Sequence, residues 1–168
     1  MVVCINNLVA ISYVFLVASG AQAAELLVAP YVTQGVIKHD DKSHKPLTGV
    51  VLTFYENGQL RQKVKYMGGQ ENGISELYRE NGMLKRKLSY RDGKQHGLME
   101  SYYESGLLKI KSNFKYGKPQ GLYELFHKNG QLRAKVHYEN GEEQGLEVSY
   151  HKNGQLQLKA NHKDGKMQ

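Results

Sequence analysis

The stretch "GLYELFHKNGQLRAKVHYENGEEQ" (Gly121–Gln144) is followed at once by "GLEVSYHKNGQLQLKANHKDGKMQ" (Gly145–Gln168). The two have the same length, and the same residue types fall at the same places. Written in rows of 24 from Gly49, the chain gives five rows with no gap, opening at Gly49, Gly73, Gly97, Gly121 and Gly145. Two further glycine columns run in phase: Gly58, Gly82, Gly106, Gly130 and Gly154, then Gly69, Gly93, Gly117, Gly141 and Gly165. Fifteen of the 18 glycines fall in these columns, so the period is the dominant signal in the chain.

Other columns complete the unit. A ring follows each row glycine by five residues: Phe54, Tyr78, Tyr102, Phe126 and Tyr150. A leucine column runs Leu60, Leu84, Leu108, Leu132, Leu156, and a second ring column runs Tyr66, Tyr90, Phe114, Tyr138, His162. The ring columns lie 12 residues apart, so each row has two similar halves. In Leu132–Arg133–Ala134–Lys135–Val136–His137–Tyr138 apolar and polar residues alternate, the mark of a strand with one dry and one wet face. "ENG", "KNG" and "DG" supply turns that need positive φ. Each row therefore reads as a β-hairpin, and successive hairpins pair into one antiparallel ladder.

A three-residue loop, Lys128–Asn129–Gly130 with the glycine in a bulge, is preferred over a two-residue Asn-Gly turn. It would collect Leu122, Phe126, Leu132, Val136 and Tyr138 on one side, with most rings facing away from the lysines. The fold class is all-β: an elongated single-layer antiparallel hairpin ribbon of five repeats (49–72, 73–96, 97–120, 121–144, 145–168). Ten strands about 4.8 Å apart would make a ribbon roughly 45 Å long, ending on an open strand. A leucine-rich repeat does not fit, because leucine is regular in one column and glycines frame the unit.

The rest of the chain is different. Residues 1–24 carry no charge, contain an apolar run from Leu8 to Ala18, and hold a small-x-small pattern at residues 21–23. They read as a signal peptide cleaved after Ala23 or Ala24, which implies export to the periplasm or cell envelope; an uncleaved membrane anchor is the alternative. Cys4, the single cysteine, precedes the apolar run, so a processed chain has neither disulfides nor cysteine metal sites. Residues 25–48 read as a lead-in strand ("TQGVIKH") and a loop that cap the first edge. The net charge of +7 sits wholly in 49–168, since residues 1–48 hold three lysines against three acids.

The rows resemble the MORN-repeat family, and more closely its bacterial variant, through "G-L-x-E-x-Y/F-x-x-N-G-x-L" halves followed by "Y-x-D/N-G-K-x-x-G". Examples are "GISELYRENGMLKRKLSYRDGKQHG" and "KPLTGVVLTFYENGQL". The resemblance covers 45–168. It implies a non-enzymatic interaction scaffold, and bacterial chains of this kind are often named antitoxin components of a YwqK-like type, which neutralise a toxin by binding it. The export signal departs from a cytosolic antitoxin.

No catalytic set emerges. Glu76, Glu100 and Glu124 recur along the ladder instead of converging, which suits cross-strand partners of lysines. His127 and His151 lie one repeat apart, no Cys/His cluster exists, no serine sits in a G-x-S-x-G frame, and the glycines are spaced as turns rather than as a phosphate loop. No cofactor or metal is expected, and a small-molecule substrate is disfavoured. Two surfaces remain. The rings Phe54, Tyr78, Tyr102, Phe126 and Tyr150 are candidates for contact with another protein, a toxin in the antitoxin version. The column Lys63, Lys87, Lys111, Lys135 and Lys159 is a candidate anion-binding stripe, able to touch anionic lipid or polymer of the envelope. Nucleic acid is disfavoured, because its bases would need rings on the lysine face.

Overall fold

In a computed structural model of the chain, residues 45–168 are described, together with three short strands before them: β1 (Leu26–Val28), β2 (Val32–Gln34) and β3 (Ile37–His39). There follow β4 (Gly49–Phe54), β5 (Leu60–Met67), β6 (Gln70–Tyr78), β7 (Leu84–Arg91), β8 (Lys94–Tyr102) and β9 (Leu108–Lys115). The chain closes with β10 (Lys118–Phe126), β11 (Leu132–Glu139), β12 (Glu142–Tyr150), β13 (Leu156–Lys163) and β14 (Lys166–Met167). No helix forms among the described residues.

The all-β ribbon read from the repeats is what folds. β4 to β14 follow one another as antiparallel neighbours in a single open sheet. The first edge differs from expectation. β1 joins the first edge parallel to β4, with Leu27 opposite Val51, whereas the "TQGVIKH" segment makes β2 and β3, a separate hairpin. At the other end a short β14 turns back to pair with His162 and Lys163, and it is this strand that forms the expected open edge. The signal-peptide reading of 1–24 lies outside the described residues.

Each 24-residue unit uses two kinds of turn. At the tips, the His127 N–H donates to Gln131 O at 2.8 Å and the Gly130 N–H donates to His127 O at 2.9 Å. This is the expected three-residue loop, with Gly130 at φ 85°. Between rows, two-residue turns place both central residues at positive φ, as at Asn140 (53°) and Gly141 (95°). Asp or Asn fills the first position in three of these turns (Asp92, Asn140, Asp164), but Tyr116 fills it in the third row, at φ 49°. A bulky side chain is disfavoured there, and this one is 54% exposed, its ring edge-on to His96 at 4.7 Å. Tyr116→Asn is therefore expected to raise stability by about 1 kcal/mol in denaturant unfolding. A loss of stability would mean that the ring contact outweighs the backbone strain.

The loop agrees with the sequence pattern, but the faces do not. Phe126 pairs with Leu132, yet Leu125 pairs with Ala134, so Arg133 is left over as a one-residue bulge. Arg61, Lys85, Lys109 and Gln157 are skipped in the same way in the other rows. One extra residue reverses the parity of everything beyond it. Val136 consequently faces Tyr123, and Leu122 faces His137 on the opposite side of the sheet, contrary to the expected grouping of Leu122 and Phe126 with Val136.

The inner face carries the core. Across it, opposed residues run Val51, Val64, Ser75, Leu88, Met99, Ser112, Tyr123 and Val136, with the small Ser75 and Ser112 set among larger neighbours. Such alternation lets side chains of adjacent rows cover one another without a second layer. Leu47 closes the first row over Val51, Val64 and Tyr66, and is itself 1% exposed. The second ring column sits opposite the row glycines, with Tyr66 on Gly49, Tyr90 on Gly73, Phe114 on Gly97 and Tyr138 on Gly121.

Candidate interaction face

The outer face repeats a triplet along the first strand of successive rows: Ile74, Glu76, Tyr78; then Leu98, Glu100, Tyr102; then Leu122, Glu124, Phe126. The aliphatic member is exposed in three rows, at 48% for Ile74, 43% for Leu122 and 49% for Leu146, and half-buried at Leu98. The ring member lies on this same face. The Tyr78 hydroxyl donates to Glu76 Oε2 at 3.2 Å, and the Tyr102 hydroxyl donates to Glu100 Oε2 at 3.0 Å. Burial, reinforced by the hydrogen bond to Glu100, pushes the Tyr102 phenol up to about 12. Burial and then Glu76 raise Tyr78 likewise. These phenols are fixed donors on carboxylates across the neutral range.

The lysine column occupies this face too, which corrects the expectation for the first ring column, whereas the second, Tyr66 to Tyr138, does face away from the lysines. The structure brings the lysines together, but not as an uninterrupted basic stripe. Read across the strands, opposed residues run Lys63, Glu76, Lys87, Glu100, Lys111, Glu124, Lys135. Lys63 Nζ reaches Glu76 Oε2 at 3.8 Å. Each such surface pair contributes a fraction of a kcal/mol, but together they neutralise the middle of the face. Val148 separates Lys135 from Lys159 and is buried between them at 5% exposure. The bulge column adds four cations with no residue opposite them in the pairing, Arg61, Lys85, Lys109 and Arg133. Arg61 lies 5.9 Å from the Tyr55 ring centroid and Lys109 lies 5.7 Å from that of Tyr103.

Sequence reasoning missed a third column, six residues after each row glycine. The Tyr55 hydroxyl donates to Tyr78 O at 2.7 Å, Arg79 Nη2 to Tyr102 O at 2.8 Å, and the Tyr103 hydroxyl to Phe126 O at 2.6 Å. His127 Nε2 lies 2.8 Å from Tyr150 O. Each long polar side chain thus holds the backbone carbonyl of the next row's ring residue. This sets the spacing of the outer-face triplets. The signal was present, because Tyr55, Arg79, Tyr103, His127 and His151 can all donate a hydrogen bond. His127 serves this staple.

The face is thus a periodic surface of exposed aliphatics, a charge ladder and half-buried rings, held at a spacing of one hairpin. It offers many equivalent contacts, and among the described residues it brings no acid, base and nucleophile together. A family model described as a MORN repeat variant matches the chain five times, over residues 47–67, 71–92, 95–116, 119–140 and 143–164. Among curated proteins, none matches the chain.

Proposed function

The chain belongs to the MORN repeat variant family, and from that premise we propose that it is a non-enzymatic repeat scaffold whose outer face binds another protein. The observation that carries this reading is the exposed aliphatic column, Ile74, Leu122 and Leu146, repeated beside the rings on one face. Apolar side chains repeated in register beside polar neighbours favour a protein partner, with affinity summed over rows. The alternating Lys–Glu ladder weighs against the lysines as a track for anionic lipid or polymer, since Lys87 and Lys111 each face glutamates on both sides. In its finer form the proposal is antitoxin-like: the partner is a toxin, and the ribbon blocks it by covering its surface. Export by the N-terminal segment would place that encounter in the envelope.

The test is capture of partners from the native envelope fraction at about 150 mM salt and again well above it. The expected result is one stoichiometric protein that stays bound at high salt. Ile74→Asp with Leu122→Asp should weaken it on the order of 100-fold or more, at unchanged melting temperature. Lys87→Gln, Lys111→Gln and Lys135→Gln together should leave it bound. Material that leaves with salt and depends on the lysines alone would replace this reading with a polyanion-binding surface.

A further inference from the structure

We infer that Glu143, Glu147 and His162 form a binding site for a divalent transition-metal ion at the last row of the inner face. The fifth row departs from the repeat on this face. At the column Val51, Ser75, Met99 and Tyr123 the fifth row has Glu147, and at the column Tyr66, Tyr90, Phe114 and Tyr138 it has His162. Two apolar or weakly polar positions have thus become a carboxylate and an imidazole, on the face that elsewhere forms the core.

His162 is 6% exposed, and each of its ring nitrogens faces a carboxylate: Nε2 is 2.7 Å from Glu147 Oε2, and Nδ1 is 3.2 Å from Glu143 Oε2. A neutral imidazole has one N–H. With that proton on Nδ1, which lies beside Glu143 without a hydrogen bond, Nε2 turns a buried lone pair to Glu147 Oε2. Two acceptors facing each other in a buried place call for a positive centre between them. One ligand atom from each residue lies within 4.8 Å of the others. A tetrahedral ion with bonds of about 2.0–2.2 Å holds its ligands about 3.4 Å apart, so small side-chain rotations would close the site.

The surroundings support the same reading. The Tyr138 hydroxyl donates to Glu143 Oε1 at 2.7 Å, so one oxygen of that carboxylate is anchored while the other faces the imidazole. Hydrogen-bonded carboxylates of this kind orient ligands in metal sites. Glu143 and Glu147 remain 34% and 25% exposed, which gives an ion a way in and leaves room for water in the open positions. One nitrogen and two carboxylates suit Zn²⁺, Mn²⁺ or Co²⁺; Ca²⁺ and Mg²⁺ favour all-oxygen sets with more ligands. The inference is independent of the outer face.

The test is titration of the full chain with Co²⁺ and Zn²⁺, read by calorimetry and by the visible absorption of bound Co²⁺. The expected result is one ion per chain, with a raised melting temperature at saturation. His162→Tyr restores the ring that other rows carry, so it should fold while weakening binding at least 100-fold. Glu147→Gln should do the same, and Tyr138→Phe should weaken binding about 10-fold without changing the stoichiometry. Two results would overturn the inference: no stoichiometric binding by the native chain, leaving a proton as the positive centre, or equal affinity in folded His162→Tyr, placing the ion elsewhere.

Discussion

Leu47→Ala is expected to destabilise the chain by about 3 kcal/mol and to do so at one end. Leu47 is the most deeply buried large apolar side chain in the described structure, at 1% exposure, and it packs in the cluster with Val51, Val64 and Tyr66. Its backbone is also engaged, since Leu47 O accepts the Gly69 N–H at 2.7 Å and so ties the start of row one to its final turn. Truncation removes the lid of that cluster, and a single-layer sheet has no second layer to collapse into the space. In a repeat array each row touches only its neighbours, so the loss should remain local. Hydrogen exchange should show faster opening of β4 and β5, with β10 to β12 retaining their protection. Uniform loss across all rows would show instead that the ribbon melts as one cooperative unit.

The parts of the fold that are legible in the sequence are those that turns impose. A three-residue loop places Gly130 at φ 85° and the row junction places Gly141 at 95°, conformations that exclude most other residues, so the glycine columns mark both turns directly. The alternation in β11 is equally readable, and its burial follows the pattern from Leu132 to Glu139. The face of β10 is not readable. It depends on the residue skipped at Arg133, and a bulge leaves no sequence mark beyond a long side chain that tolerates exposure. That one residue decides whether Leu122 is core or surface, and whether the rings share a face with the lysines. The charge ladder is half visible: the glutamate and lysine columns are plain, but only the register shows that Glu100 stands between Lys87 and Lys111. The inner cluster escapes notice because Glu147 and His162 are 15 residues apart and each resembles an ordinary departure from the repeat.

Gly97→Val is expected to lose about 3 kcal/mol, near 10 °C in melting temperature for a domain of this size, and to displace the outer-face leucine beside it. The reason lies in a second irregularity of the ladder. Leu88 pairs with Met99 and Tyr90 with Gln95, so His96, Gly97 and Leu98 together oppose Ser89. Three residues fit opposite one only if the middle backbone swings through φ 104°, where a Cβ would lie 3.1 Å from the Ser89 Cβ. Valine adds branched bulk to both problems, and neither neighbouring strand can retreat without breaking its pairing. Gly121 provides the control. It has φ 82°, but a Cβ added there would meet nothing within 4 Å, so Gly121→Ala should show backbone strain alone, about 1 kcal/mol. Equal losses at the two sites would show that crowding against Ser89 contributes nothing. If the contrast holds, the bulge that admits Gly97 is also what directs Leu98 outwards, and Gly97→Val should weaken partner binding by more than its effect on stability accounts for.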